Sequence, residues 1–126
     1  MSFKPPGYTS VAPYLTVNGA EQTISFLVDV FGAERLRMIP GANGSLMHGE
    51  VRINDTVIMF TDAVEGWPAV PGHVHVYVPD VDATYRKALS MGAIPVKEPT
   101  KGDDADKRGG FQDAGGTTWW VATQLT

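Results

Sequence analysis

Residues 73–93 read HVHVYVPDVDATYRKALSMGA, and this stretch decides the fold. From His73 to Val78 valine alternates with histidine or tyrosine, the period of a strand with one apolar face. A helix follows from about Val81 to Ser90, and Gly92 closes it with the residue type that most easily turns a chain out of a helix.

The same order of signals occurs in the first half. VAPYLTV at 11–17 reads as a strand, and Ala20 to Phe31 carries Ile24, Phe26, Leu27, Val30 and Phe31 at helical spacing before Gly32. Strands are expected at Glu34–Ile39, Leu46–Ile53 and Thr56–Asp62, the last two joined by a tight turn at Asn54-Asp55. The second half continues with strands near Ile94–Val96, Gly109–Gln112 and Thr117–Thr123, the last entered through the turn Asp113–Gly116. Gly32-Ala33 matches Gly92-Ala93, Val17 matches Val78 and Thr56-Val57 matches Thr117-Thr118, all 60 or 61 positions apart. Self-similarity at such an offset indicates a duplicated supersecondary unit. The expected fold class is therefore α+β, a single domain of two βαβββ modules at about 8–62 and 72–124 with a linker at 63–71. The segment Glu98 to Gly110, EPTKGDDADKRGG, is polar and glycine-rich and is expected to be a mobile loop or lid.

Bulk composition excludes several function classes. At 126 residues, 43% hydrophobic and 19% charged, the chain can bury a core. It has no apolar run of the roughly 18 residues a membrane helix needs, and its N-terminus lacks the apolar segment of a secretory signal. It has no cysteine and a net charge of −4, which argues against disulfides, thiolate ligands and a nucleic-acid partner. A cytoplasmic protein is expected.

The phrases KPPGYTSVAPYLTV, FLVDVFGAE, SLMHGEVRIND, HVHVYVPDVDATYRKALSMGA and GGFQDAGGTTWWVAT cover almost the whole chain. Together they resemble the vicinal oxygen chelate superfamily, the glyoxalase, bleomycin-resistance and dioxygenase fold, and within it the PhnB-like or glyoxalase-like subgroup. The resemblance implies a curved mixed sheet that encloses a cup, helices on the outer face, and a homodimer. It also implies a metal held by one residue from the first and one from the last strand of each module. Those positions fall at Ala12, Met59, His73 and Trp120, of which His73 alone is an ordinary ligand for a divalent ion. No metal and no cofactor are expected at the usual site.

Alternation along the strands then assigns the cup face. Tyr14, His48, Glu50, Arg52, Met59, His73, His75, Tyr77 and Trp120 should line it, with Thr16, Thr61, Thr118 and Ala122. Phe111 joins them through a repeat mapping from Glu50. Val11, Leu15, Val17, Met47, Val51, Ile53, Val74, Val76 and Val78 should face the helices. The aromatic wall suits a planar or amphipathic small-molecule ligand. His48, Glu50 and His73 are the candidate catalytic residues, with Glu50 orienting a histidine base. Three functions follow in order: metal-independent small-molecule binding or sequestration; a divalent-metal lyase, isomerase or dioxygenase with a non-standard site built from His48, Glu50, His73 and His75; and an inert dimer with a filled cup. Trp67 in the linker is a candidate to cover the cup or to make a subunit contact.

Overall fold

In a computed structural model that describes residues 2–125, the chain divides into two compact units, Met1–Ala69 and Val70–Thr126. The first contains β1 (Tyr14–Val17), α1 (Ala20–Phe31), β2 (Glu34–Pro40), a 3₁₀ turn (Ala42–Gly44), β3 (Leu46–Ile53) and β4 (Thr56–Asp62). The second contains β5 (His73–Tyr77), α2 (Val81–Ser90), β6 (Ile94–Lys101), β7 (Asp106–Gln112) and β8 (Thr118–Gln124). Each forms an open, mixed, four-stranded sheet, in the orders β1-β4-β3-β2 and β5-β8-β7-β6. The fold is thus α+β, with the βαβββ unit present twice. Among the described residues no helix is long and apolar enough to cross a membrane.

In both units the first and last strands pair in parallel, with Tyr14 opposite Met59 and His75 opposite Trp120. The helices cover one face of each sheet. From α1, Ala20, Thr23, Ile24, Leu27 and Val30 are buried, over a sheet core of Val17, Val51, Ile53, Ile58 and Phe60. From α2, Val81, Tyr85 and Ala88 are buried, over Phe111, Trp119 and Val121. Asp113 organises this second core, accepting the indole N–H of Trp119 at 2.8 Å on one oxygen and the backbone N–H groups of Gly115 and Thr117 on the other.

The two helix starts are held by equivalent residues of the last strands. Asp62 Oδ1 accepts the N–H of Ala20 at 2.8 Å, and its Oδ2 accepts the N–H of Leu46. Thr123, the counterpart of Asp62, accepts the N–H of Val81 at 2.8 Å and donates to the carbonyl of Val78. Asp80 adds a side-chain cap to Ala83. Backbone donors left over in a first helical turn are thereby satisfied. At the other end of α1, Gly32 adopts φ 66° and closes the helix onto the carbonyls of Leu27 and Val28.

Several sequence expectations are corrected. The segment Glu98–Gly110 is not a loop: β6 runs to Lys101 and β7 starts at Asp106, so four residues turn between them. An outer strand such as β6 is held by backbone hydrogen bonds and needs no apolar side chains, which is why its polar composition misled. The basic residues there are strand residues; Lys107 pairs with Asp82 and Arg108 with Asp106. The first strand starts at Tyr14 rather than at residue 11, because the chain before Pro13 bends away from the sheet. Val11 is accordingly 83% exposed instead of packing on a helix. Met47 falls at a bulge, where pairing with β2 steps from His48 to Leu46, and is 58% exposed while Leu46 is buried.

Replacing Asp62 with Ala should cost about 0.5–2 kcal/mol, the usual loss for a helix-start acceptor. It should fall toward the upper end because Leu46 also loses its partner. Thr123→Val should cost less, because it frees one N–H and one carbonyl without removing a charge. Urea unfolding of the three proteins side by side tests both the size and the order.

Candidate functional site

The chemistry collects on the sheet face that each helix leaves uncovered. In the first unit, register places Tyr14 and Thr16 of β1, Met59 and Thr61 of β4, and His48, Glu50 and Arg52 of β3 on this side. Glu50 is 1% exposed yet fully partnered. The Tyr8 hydroxyl donates to its Oε1 at 2.5 Å and His48 Nε2 donates to its Oε2 at 2.6 Å. With the proton on Nε2, the opposite nitrogen, Nδ1, accepts from the Tyr14 hydroxyl at 3.2 Å. Four side chains thus form one chain of hydrogen bonds, Tyr8–Glu50–His48–Tyr14, whose Tyr14 end is 54% exposed.

The N-terminal segment closes over Glu50. Arg52 donates to the Gly7 carbonyl at 3.1 Å while pairing with Glu34, and the N–H of Val57 donates to Thr9. Burial alone would push the Glu50 carboxyl up. Hydrogen bonds from Tyr8 and His48, with the positive charge of Arg37, outweigh burial and hold it below the usual carboxylate range. The same bond to the carboxylate, followed by burial, raises the Tyr8 phenol.

In the second unit, His73, His75 and Tyr77 of β5 share the open face with Thr118, Trp120 and Ala122 of β8. The Trp120 indole N–H donates to His73 Nδ1 at 3.0 Å, the two rings lying nearly parallel at 11° and 6.2 Å between centres. Gly110, opposite Trp120 on β7, makes room for the ring, since a Cβ there would stand 2.7 Å from its Cε3. Beside this pair, Arg108 donates to His75 Nε2 at 3.1 Å and to Asp106 at 2.7 Å, and Asp106 also accepts from the Tyr77 hydroxyl at 2.7 Å. Burial and the Arg108 charge lower the His75 pKa, so His75 is held neutral. Its ring meets Tyr77 edge-on at 4.8 Å.

Each of the three histidines therefore steadies one aromatic ring: His48 steadies Tyr14, His73 steadies Trp120 and His75 steadies Tyr77. Arg52 is taken up by Glu34 and the Gly7 carbonyl. Met59 is half-buried between Tyr14 and Glu50 in the register. Phe111 lies on the opposite side from the one expected. It is fully buried, pairs with Trp119 in the register and contacts Tyr85 of α2 at 6.5 Å between ring centres. The repeat spacing is 61 on the last strands but 60 on β7, so Glu50 corresponds to Gly110; mapping it one residue further selects the other face. Tyr8, Asp106 and Arg108 were not anticipated. The turn residues Pro5-Pro6-Gly7 signalled that the chain could bend back, and alternation from Gly110 would have reached Arg108 and Asp106 had the strand been extended.

A family model described as Glyoxalase/Bleomycin resistance protein/Dioxygenase superfamily matches residues 8–121. The chain belongs to this superfamily. An uncharacterized protein of Mycobacterium bovis is 31% identical over 121 residues, covering 87% of this chain and 80% of its own. Among solved structures, TioX from Micromonospora sp. ML1 superposes with a TM-score of 0.78 at 21% identity, over 93% of this chain and 99% of that one. TnmS3, an antibiotic binding protein from Streptomyces sp. CB03234, gives 0.69 at 20% identity, over 92% and 97%. The fosfomycin resistance protein FosX from Listeria monocytogenes, complexed with Mn(II) and sulfate, gives 0.72 at 14% identity, over 93% and 90%.

The superfamily's metal positions can be tested against the donors this chain supplies. Ala12 and Met59 offer a methyl group and a thioether, a poor set for a hard or borderline divalent ion. Trp120 offers no lone pair in the plane of its ring, and it occupies the Nδ1 lone pair of His73. Ala12 also lies outside β1. The residues present do not fit the superfamily's metal. Among the described residues no group of three or more His, Asp or Glu is gathered closely enough to hold an ion.

Glu50 also yields a pH prediction. Because its folded pKa lies below the unfolded value, its contribution to stability is present above the unfolded carboxylate range and is lost as pH falls through the folded value. Glu50→Gln should destabilise the protein by about 1–3 kcal/mol at neutral pH, with the gap to wild type narrowing in acid. Denaturant midpoints across a pH series read this out; a gap that stays constant with pH would assign the cost to shape rather than charge.

Proposed function

We propose that this superfamily member binds a small, planar, partly apolar molecule without a metal ion and acts by sequestration. The observation that carries this reading is Trp120, laid across Gly110 and fixed by His73 on the open face of its sheet. A ring already immobilised loses little rotamer freedom when a ligand stacks on it. Tyr77, 61% exposed and tethered through Asp106, extends the same surface. The likeness in fold to TnmS3, an antibiotic binding protein, supports such a role. The alternative is a metal-dependent lyase, isomerase or dioxygenase; the donor set at Ala12, Met59, His73 and Trp120 speaks against it here. On the open face of the second unit the ligand is proposed to touch His73, His75, Tyr77 and Trp120; on the first unit's own open face Tyr14, His48 and Met59 are the proposed ligand contacts, with Glu50 and Arg52 acting from behind. A PhnB-like homodimer working in the cytoplasm completes the proposal.

Screening planar aromatic compounds by thermal shift, followed by titration, tests the reading. Trp120→Ala should weaken binding about tenfold or more, since a stacked ring contributes about 0.5–1.5 kcal/mol beyond its area burial. Gly110→Val, which evicts the ring without removing it, should do the same, while Lys101→Ala should change little. Dialysis against a chelator should leave affinity intact. One tightly held divalent ion per chain, lost together with binding on chelation, would overturn the proposal.

A further inference from the structure

The hydrogen-bond chain of the first unit contains more than is needed to bury Glu50. Tyr8 and His48 already satisfy both carboxylate oxygens, and Tyr8 with Thr9 and the Gly7 carbonyl already ties the N-terminal segment to the sheet. The Tyr14 hydroxyl lies at the exposed end and buries nothing, yet it points at the one imidazole nitrogen left as a base.

We propose that Tyr14, His48 and Glu50 form a proton relay that takes the acidic proton of a phenol or enol ligand held on the open face of the first unit. The relay rests on the small-molecule reading above and narrows its ligand class. In the step, the ligand O–H bond breaks and its proton passes to the Tyr14 oxygen. The original Tyr14 proton passes at the same time to His48 Nδ1. The ligand is left as an anion and His48 as an imidazolium, paired at 2.6 Å with the buried Glu50 carboxylate. Nothing is oxidised or reduced, and no co-reactant is required. The buried Glu50 carboxylate accepts the Nε2 proton of His48 and so fixes the tautomer that leaves Nδ1 as the base.

The surroundings favour the anionic product. From β2, Arg37 is exposed and has no ion-pair partner among the described residues, and its positive charge acts on both Tyr8 and Glu50. Arg52 of β3 adds a second cation, partly neutralised by Glu34 of β2. Tyr8 is the titratable group contributed by the N-terminal segment, and β4 places Val57, Met59 and Thr61 on this face, none of which titrates.

The probe pair is para-nitrophenol and para-nitroanisole, matched in shape, of which only the first can ionise. With the full-length protein, below the solution midpoint of the phenol, bound nitrophenol should show the phenolate absorption band. It should bind about tenfold more tightly than the anisole. Tyr14→Phe, which keeps the ring and removes the relay hydroxyl, should abolish the band and equalise the two affinities, and His48→Gln should behave alike. Thermal unfolding confirms that each variant is folded. If wild type binds both compounds and the phenol stays neutral, or if folded Tyr14→Phe keeps the band, the relay is wrong and the binding reading stands. If neither compound binds, the binding reading of this face fails with it.

Discussion

Parallel pairing of the first and last strands within each module is the constraint on which the rest depends. A parallel pair cannot be closed by a tight turn; the chain must cross over, and a helix is the compact way to do it. In both modules the helix covers one sheet face and leaves the other open, and each last strand reaches back to satisfy the start of that helix through Asp62 or Thr123. The apolar face and the chemical face are therefore separated before any specific ligand is considered.

On that shared frame the two modules have become different surfaces. Where β3 carries Glu50, β7 carries Gly110; where β4 carries Met59, β8 carries Trp120. The exchange is coupled, because the indole can lie flat only where no side chain rises from the neighbouring strand. One module thus holds a buried carboxylate behind a histidine, and the other holds a fixed aromatic plate. Unlike FosX, whose structure is complexed with Mn(II), this chain sets all three of its histidines against aromatic rings.

The N-terminal segment gives the first module its electrostatic character. Without Tyr8 and the chain around it, the Glu50 carboxylate would sit on an open sheet face in water. Covered, it is desolvated and depends on its two donors, and its depressed pKa records that those donors outweigh the cost of burial.

The sequence by itself determined the duplication, both helices and their glycine stops, and the side of the sheet taken by His48, Glu50, His73, His75 and Trp120. The elements follow from periodicities of 2 and 3.6 that backbone geometry imposes locally, the duplication from landmarks 60 or 61 positions apart, and the inward side from the superfamily resemblance, carried along each strand by alternation. Only the tertiary structure decided which residues meet. Landmarks spaced by both 60 and 61 left Phe111 open to either face, and only the strand register, which sets Gly110 opposite Trp120, puts it on the helix side. Tyr8 reached Glu50 across 42 positions of sequence, through a bend that local propensity does not orient. The polar segment from Glu98 became strand because backbone pairing with β7 holds an edge strand whatever its side chains. Patterns within a few residues are written in side-chain chemistry. Contacts between distant strands depend on register, and a single residue in a connecting segment changes them.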